Sequence, residues 1–153
     1  NIELLENLKN WFNFKFEIVY FYNVYGSKQI TKGNMATVIG IFQEHYKKNL
    51  AMPVVLPGSQ SRRFTHIDDT VKVCIEAWKK GSRKHYSISN KKSFTILEVA
   101  KLFSDKIKFL PLRAGERFES ALTDINLSNR VLKRFGKKSL NTYIKEFKKT
   151  IKN

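Results

Sequence analysis

Apolar residues recur along the chain at two spacings, one typical of helices and one typical of strands. Spacings of three and four residues predict helices that turn one face toward a core. Such helices are expected at Glu3–Phe12, at Asn34–Lys48, after Asp68 or Asp69, from Thr95 through Phe103, at Asp124–Phe135 and at Ser139–Ile151. Short apolar runs predict strands at Phe16–Tyr22, Arg62–Ile67, Lys84–Ser89 and Lys106–Leu110. Because helices and strands alternate, the pattern indicates an α/β fold with helices packed on a sheet.

The pattern also predicts which faces of these elements are buried. The inward residues of the helix Asn34–Lys48 are expected to be Met35, Val38, Ile39, Phe42 and Tyr46. Those of the helix after Asp68 or Asp69 are expected to be Val71, Cys74, Ile75 and Trp78. The run Phe16–Tyr22 is almost continuously apolar, which predicts a strand buried on both faces.

Residues typical of helix ends mark several boundaries. Thr95 followed by Glu98 forms the pattern of a capping box, and Asp68 or Asp69 is expected to be the N-cap of the next helix upstream. Asn34 stands where an N-cap is expected, and Gly136 is expected to close the helix that ends at Phe135.

The length and composition predict one globular unit. A chain of 153 residues that is 42% hydrophobic can bury one core of ordinary domain size. No apolar run approaches the roughly 18 residues of a membrane-spanning helix, and the charged start NIELLENLKN is unlike a signal peptide, so we expect no membrane association. The single cysteine, Cys74, has no internal disulfide partner, which fits a reducing, cytoplasmic setting.

The net charge of +16 raises the question of nucleic-acid binding, because basic surfaces neutralise phosphates. The excess is mainly lysine scattered from Lys9 to Lys152, and no helix-turn-helix, zinc-finger or aromatic-basic RNA motif accompanies it. We therefore interpret the lysines as solvated surface and expect no nucleic-acid partner, with a basic nucleic-acid-binding module as the alternative.

Several kinds of catalytic or cofactor motif are missing from the sequence. The seven glycines never cluster, so the chain has neither a dinucleotide-binding glycine loop nor a Walker A loop. The histidines His45, His66 and His85 show no metal-ligand spacing with Cys74 or with one another, and no metal site is expected. The sequence therefore holds no complete catalytic site.

Polar residues at the junctions between predicted elements suggest a binding site instead. Taken singly they are typical turn, cap or solvated residues; they are Asn23, Asn34, Gln60, Arg62, Arg113 and Glu116. Together they match the needs of a nucleoside diphosphate: guanidinium groups for the pyrophosphate, N–H groups at a helix start, and a carboxylate for ribose hydroxyls.

Three motifs, FYNVYGSKQ, GSQSRRFTHIDD and LRAGERFESALTDI, occur in an order and at separations that resemble the NAD-dependent epimerase/dehydratase family of nucleotide-sugar enzymes. Within the family the UDP-glucose 4-epimerases are the most similar, with nucleotide-sugar 4,6-dehydratases and heptose 6-epimerases as alternatives. The resemblance implies the C-terminal part of a Rossmann-type enzyme: the last strands of the parallel sheet in 1–30 and 62–90, and a small mixed α/β nucleotide-sugar-binding domain in 31–61 and 91–153.

The resemblance also implies roles for particular residues. Substrate contacts are expected at Asn23, Asn34, Met35, Val54, Val55, Gln60, Arg62, Arg113 and Glu116, and contacts near the nicotinamide at Phe21 and Tyr22. NAD is expected to be bound mainly by a preceding segment that also carries the catalytic Tyr-x-x-x-Lys upstream of Asn1, so this chain alone is expected to be inactive. The whole enzyme is expected to be a homodimer. One departure from the family pattern is Arg63, which stands where the family usually has Asp.

Overall fold

The computed structural model describes residues 1–81, 85–116, 118 and 138–152. Its helices are α1 (Ile2–Phe12), α2 (Val38–Lys47), α3 (Ile67–Lys80), α4 (Ile96–Phe103) and α5 (Leu140–Lys152). Its strands are β1 (Ile18–Phe21), β2 (Val24–Tyr25), β3 (Met52–Val55), β4 (Ser61–Arg62), β5 (Thr65–His66), β6 (His85–Ile88), β7 (Phe94–Thr95) and β8 (Ile107–Leu110). The α/β fold is as predicted. The predicted helix Asp124–Phe135, the cap Gly136 and Lys84 lie outside the described residues.

The strands of the described residues form four pairs, three of them parallel. β1 pairs with β6, β2 with β5, and β3 with β8 in parallel, whereas β4 pairs with β7 in antiparallel. The run predicted as one strand, Arg62–Ile67, is therefore two short strands that belong to different pairs, with α3 beginning at Ile67. Parallel pairs require long crossover connections, and here these carry the helices.

The main core lies where α2, α4 and α5 pack together beside β3. Phe103 of α4 is buried and its ring contacts those of Phe42, Tyr46 and Phe147, with centroids 5.9 to 6.3 Å apart. These edge-on and tilted contacts are typical of aromatic cores. The capping box predicted for α4 is confirmed: Thr95 Oγ1 accepts from Glu98 N, and the Glu98 carboxylate accepts from Thr95 N.

Helix α2 begins later than predicted. Its N-cap is Thr37, whose Oγ1 accepts a hydrogen bond from Gly40 N, and not Asn34. Asn34 and Met35 lie in the preceding turn, which Gly33 allows with a φ of 78°, and Met35 is 77% exposed instead of inward. The backbone of Thr37 is extended, as is typical of an N-cap residue. The helix therefore begins after Thr37 and does not include the preceding turn.

The start of α3 also differs from the prediction. The N-cap is His66, whose Nδ1 accepts from Asp68 N at 3.1 Å, and neither Asp68 nor Asp69 takes that position. Asp68 instead lies in the first turn and pairs with Lys138 at 2.7 Å, while Asp69 is buried. Both carboxylates still lie near the positive end of the helix dipole.

The apolar face predicted for α3 is exposed. Trp78 is 80% exposed and Val71 and Ile75 are about half exposed, whereas the buried positions include the smaller Val73 and Ala77. Cys74 is partly buried, and this burial raises the pKa of its thiol. Helix α3 packs through its smaller apolar residues, such as Val73 and Ala77. Its larger apolar side chains lie on the opposite face and are exposed.

Two other elements, α1 and β1, also leave apolar side chains exposed. Helix α1 buries none of its residues, and Trp11 and Phe12 are largely exposed. Strand β1, predicted to be buried on both faces, is only half-buried, and Phe21 is exposed at its end. We call the exposed apolar residues of α1, β1 and α3 the open face. None of the helices in the described ranges is long and apolar enough to cross a membrane.

The cap at His66 predicts a pH-dependent stability. Burial lowers the pKa of His66 below its usual value near 6.5, so the folded chain keeps the ring neutral and Nδ1 able to accept from Asp68 N. The unfolded chain binds the proton more readily, so stability is fully present above about pH 6.5 and is lost as the pH falls through the folded pKa. Loss of an N-cap typically costs about 1 kcal/mol.

Urea denaturation between pH 5 and 8 measures this effect. We expect the free energy of unfolding to fall toward low pH in the unchanged chain, and to vary much less in His66→Asn, because Asn caps without titrating in this range. An identical pH dependence in both proteins would contradict the role given to His66.

Candidate functional site

A cavity of about 400 Å³ lies between the start of α2, strands β3 and β4, and the segment after β8. Its lining includes six of the nine residues predicted to contact the substrate: Asn23, Val55, Gln60, Arg62, Arg113 and Glu116. Residues from all three sequence motifs therefore border one cavity, although they are up to 93 positions apart in the chain.

The polar end of the cavity carries two arginines and one acid. Arg62 Nη2 lies 3.4 Å from Glu116 Oε1, and both side chains are about 20% exposed. Arg62 Nη1 also donates to Ser61 O at 2.8 Å, which fixes the guanidinium plane. Arg113 is exposed, and in the part of the chain that the structure describes its guanidinium has no ion pair. Two cationic groups beside one carboxylate form a site suited to an anion that also carries hydroxyls.

Backbone turns bring these side chains together. Gly115 has a φ of 75°, and Glu116 N donates to Arg113 O, so the segment after β8 folds back on itself. Ser61 N donates to Phe118 O at 2.7 Å, which holds that segment against β4. Arg62 and Glu116 thus meet because the backbone on either side of them is joined.

Asn23 borders the cavity from the end of β1. Its φ of 44° is left-handed, a conformation that Asn adopts more readily than most residues. Its Nδ2 donates to Arg63 O at 3.3 Å, and Thr65 N donates to Asn23 O. These bonds hold the end of β1 beside the connection between β4 and β5.

Gln60 is 1% exposed and anchors the turn between β3 and β4. Its Nε2 donates to Val55 O and Leu56 O, which identifies that side of the amide as the nitrogen. Gln60 O accepts from Ile96 N, so the same residue joins the turn to α4. Its Oε1 is buried without a hydrogen-bond partner among the described residues. These contacts place Gln60 in the wall of the cavity, where it holds Val55 in position.

The other end of the cavity is apolar. Its walls come from α2, β3, β8 and the start of α4, through Val38, Ile41, Phe42, Pro53, Leu110 and Ile96. Val38 was predicted to face inward, and it borders the cavity. No place in a site was predicted for Ile41, Pro53, Leu110 or Ile96. Their role depends on the pairing of β3 with β8, which residue spacing alone does not reveal. A pocket with apolar walls and a few converging polar groups is typical of a small-molecule site.

Five predicted site residues lie away from this lining. Asn34 and Met35 are exposed in the turn before α2, and the side chain of Val54 is buried in the core. Phe21 and Tyr22, predicted to lie near the nicotinamide, are at the end of β1 and do not border the cavity. In the described ranges no group of three His, Cys, Asp or Glu side chains could hold a metal ion.

The sequence profile of the NAD dependent epimerase/dehydratase family matches residues 1–89, which is more than half of the chain. The α/β fold and this match define the class of protein, which is that of the Rossmann-type epimerases and dehydratases. The chain belongs to the NAD dependent epimerase/dehydratase family. Comparison with curated protein sequences gives no match.

Three of the solved structures with a similar fold are two epimerases and a dehydratase. UDP-glucose 4-epimerase from Thermotoga maritima, solved with UDP-glucose, has a TM-score of 0.80 at 23% identity, over 97% of this chain and 51% of its own. UDP-glucuronic acid 4-epimerase from Bacillus cereus, solved with NAD, has a TM-score of 0.80 at 20% identity, over 99% and 49%. The dTDP-glucose 4,6-dehydratase from Streptomyces venezuelae has a TM-score of 0.74 at 15% identity, over 96% and 48%. The chain thus spans about half the length of these structures and shares their fold.

Proposed function

We propose that this chain forms the nucleotide-sugar-binding part of an NAD-dependent sugar-nucleotide epimerase of the UDP-glucose 4-epimerase kind. The observation that supports this most strongly is the cavity whose polar end joins Arg62, Arg113 and Glu116, with Asn23 also in its lining. Family membership supports an NAD-dependent enzyme that acts on nucleotide sugars.

The chemistry of the cavity suits a nucleoside diphosphate. The fixed guanidinium of Arg62 and the exposed one of Arg113 supply two sets of N–H donors for phosphate oxygens, and hydrogen bonds to charged groups are the stronger kind. Glu116 can accept from ribose hydroxyls once a phosphate takes over its contact with Arg62. The apolar end, with Val38 and Ile41, offers a surface for the faces of the base.

In this proposal the chain holds the substrate and the preceding part of the enzyme supplies the reacting groups. Bound to that preceding part, NAD would supply a reversible hydride acceptor for the sugar. No Tyr in this chain has a Lys four residues later, so the proton-transferring Tyr-x-x-x-Lys belongs to the other part. Arg62 and Arg113 hold the diphosphate while the keto sugar turns, which keeps the ligand bound between the two hydride transfers.

The open face fits this arrangement. In the described residues β1 pairs only with β6, which leaves its other edge without a strand, and α1 and α3 both leave large apolar side chains exposed. Exposed apolar surface of this extent marks an interface. We propose that the cofactor-binding half packs here, with 1–30 and 62–90 completing its parallel sheet, and that the whole enzyme is a cytoplasmic homodimer.

A 4,6-dehydratase is the second candidate, because the fold is shared with the Streptomyces venezuelae enzyme that acts in that class. Both reactions use the same kind of ligand, a nucleoside diphosphate sugar, so the role of this chain would be unchanged. Product analysis of the complete gene product with UDP-glucose and dTDP-glucose separates them.

Replacing the arginines tests the site. In the complete gene product, Arg62→Ala and Arg113→Ala should each weaken binding of UDP-glucose by about 1.5 to 3 kcal/mol, the range for hydrogen bonds to charged groups. Isothermal titration calorimetry measures the affinity. Lys101→Ala is the matched control, because it removes an exposed cation on α4 away from the cavity. If both arginine variants bind UDP-glucose as tightly as the unchanged protein, Arg62 and Arg113 do not belong to the binding site.

The assignment of substrate binding to this chain, and of NAD binding and catalysis to the preceding part, gives a separate prediction. The purified 153-residue chain should neither retain NAD in equilibrium dialysis nor turn over a nucleotide sugar, whereas the complete gene product should do both. The physical reason is the missing glycine loop and Tyr-Lys pair. Epimerase activity in the isolated chain would overturn this assignment.

A further inference from the structure

Four side chains form a continuous hydrogen-bond network at the start of α2. Thr37 Oγ1 donates to Gln29 Oε1 at 2.9 Å, and Gln29 Nε2 donates to Gln43 Oε1 at 2.7 Å. Gln43 Nε2 then donates to the hydroxyl of Tyr143 at 3.1 Å. We call Thr37, Gln29, Gln43 and Tyr143 the α2 network. It joins the segment after β2 to helix α2, and helix α2 to helix α5.

The N-cap of α2 sets the direction of every bond in this network. Gly40 N can only donate, and it donates to Thr37 Oγ1 at 3.0 Å. The single hydroxyl proton of Thr37 goes to Gln29 Oε1, so the Nε2 of Gln29 faces Gln43. Gln43 is 6% exposed, and the oxygen and the nitrogen of its amide each have a partner. A shift of this buried amide would leave a polar group unpaired, which costs free energy.

The α2 network defines a position more than it adds stability. A buried hydrogen bond between neutral groups contributes little net free energy, because both groups are hydrogen-bonded to water in the unfolded chain. Apolar packing already stabilises this region, since the ring of Phe103 in α4 contacts those of Phe42 in α2 and Phe147 in α5. A polar network with every member satisfied adds one defined arrangement of the elements that it joins.

The α2 network and the candidate cavity adjoin the same part of α2. Val38 borders the cavity and follows Thr37 in the sequence, and Phe42 borders it and precedes Gln43. The four side chains of the network do not border this cavity, and Thr37 and Gln29 border a second cavity of about 460 Å³ instead. A change in the network therefore reaches the candidate cavity through the position of α2.

We propose that Gln43 is a positioning residue for substrate binding, because the α2 network fixes the apolar wall at Val38 and Ile41 against which the base of the nucleotide lies. This inference rests on the proposed function, because it takes the base to occupy the apolar end of the cavity. Gln43 itself contacts neither the ligand nor the reacting atoms. Its effect is on the affinity for the nucleotide, which UDP and every UDP-sugar share.

Calorimetric titration of the complete gene product with UDP and UDP-glucose tests the proposal. Gln43→Met keeps the size of the side chain and removes both hydrogen bonds, so we expect both ligands to bind about fivefold more weakly. The factor should be the same for the two ligands, because they share the nucleotide. In turnover, KM should rise while kcat stays within about twofold, since the nucleotide is held alike in the ground state and the transition state.

Thr70→Val is the matched control for a general loss of stability. Thr70 is 3% exposed, and its hydroxyl donates to His66 O in α3, away from the lining of the cavity. We expect similar losses of stability from the two changes in thermal unfolding, but weaker UDP binding in Gln43→Met alone. Equally weakened UDP binding in both variants would contradict a positioning role.

Tyr143→Phe gives a second test, because it removes only the hydroxyl at the end of the network. It should weaken UDP binding about threefold, and the double variant should bind UDP no more weakly than Gln43→Met, since the shared bond is already lost. Losses that add in the double variant overturn the inference. Full affinity for UDP in Gln43→Met, or in Tyr143→Phe if Gln43→Met does not fold, overturns it and leaves the proposed function standing. If the unchanged protein does not bind UDP, both fail.

Discussion

The parallel pairing of β3 with β8 is the interaction on which the candidate site depends. It aligns Met52 with Ile107 and Val55 with Leu110, and further bonds at both ends extend it. This pairing brings the chain after β8, which carries Arg113 and Glu116, beside the turn after β3. Together with the hydrogen bond from Ser61 N to Phe118 O, this pairing brings Arg62 and Glu116 within contact distance.

The helices keep this pairing in place from one side. α4 contacts β3 and packs on α2 through Phe103 and Phe42, while Lys148 of α5 donates to the last carbonyls of α4. Gly40 is required in this arrangement, because an added Cβ would lie 2.3 Å from Ile30 O. That close approach holds the chain after β2 against the first turn of α2, next to the cavity wall formed by Val38 and Ile41. The packed core and the wall of the cavity are therefore formed by the same helices.

The open face has the opposite character. Its side chains are as apolar as those of the core, and each large one left in water forgoes roughly 1.5 to 3 kcal/mol that burial would contribute. α1 is amphipathic but buries nothing, and Trp78 projects from α3. The two surfaces suggest a division of the molecule into a complete half, which forms the cavity, and a half that needs a partner.

Local signals in the sequence predicted local structure well. The spacing of apolar residues predicted the helices that the structure describes, and the Thr95 and Glu98 pair predicted the start of α4 correctly. N-caps were less predictable where several suitable residues lie close together. Asn34 was predicted where Thr37 caps α2, and Asp68 or Asp69 was predicted where His66 caps α3. The choice depends on backbone angles, which residue type alone does not determine.

Nonlocal features were harder to predict. The apolar stripe of α3 was predicted to face inward, and this prediction was wrong, because the helix packs through Val73 and Ala77 and leaves Trp78 exposed. The apolar walls at Ile41 and Leu110 required knowledge of which strands pair. The polar residues of the cavity were singled out because they lie at the junctions between predicted elements. The resemblance of the three motifs to a known family then implied that these residues share one site, which is information about distant contacts that spacing lacks.

A crystal structure of the complete gene product with a bound UDP-sugar tests the central claim most directly. The claim predicts phosphate oxygens within hydrogen-bond distance of the Arg62 and Arg113 guanidinium groups, with the Glu116 carboxylate turned from Arg62 to the ribose hydroxyls. A nucleotide sugar bound at a site that includes neither arginine, with the contact between Arg62 and Glu116 intact, would contradict it.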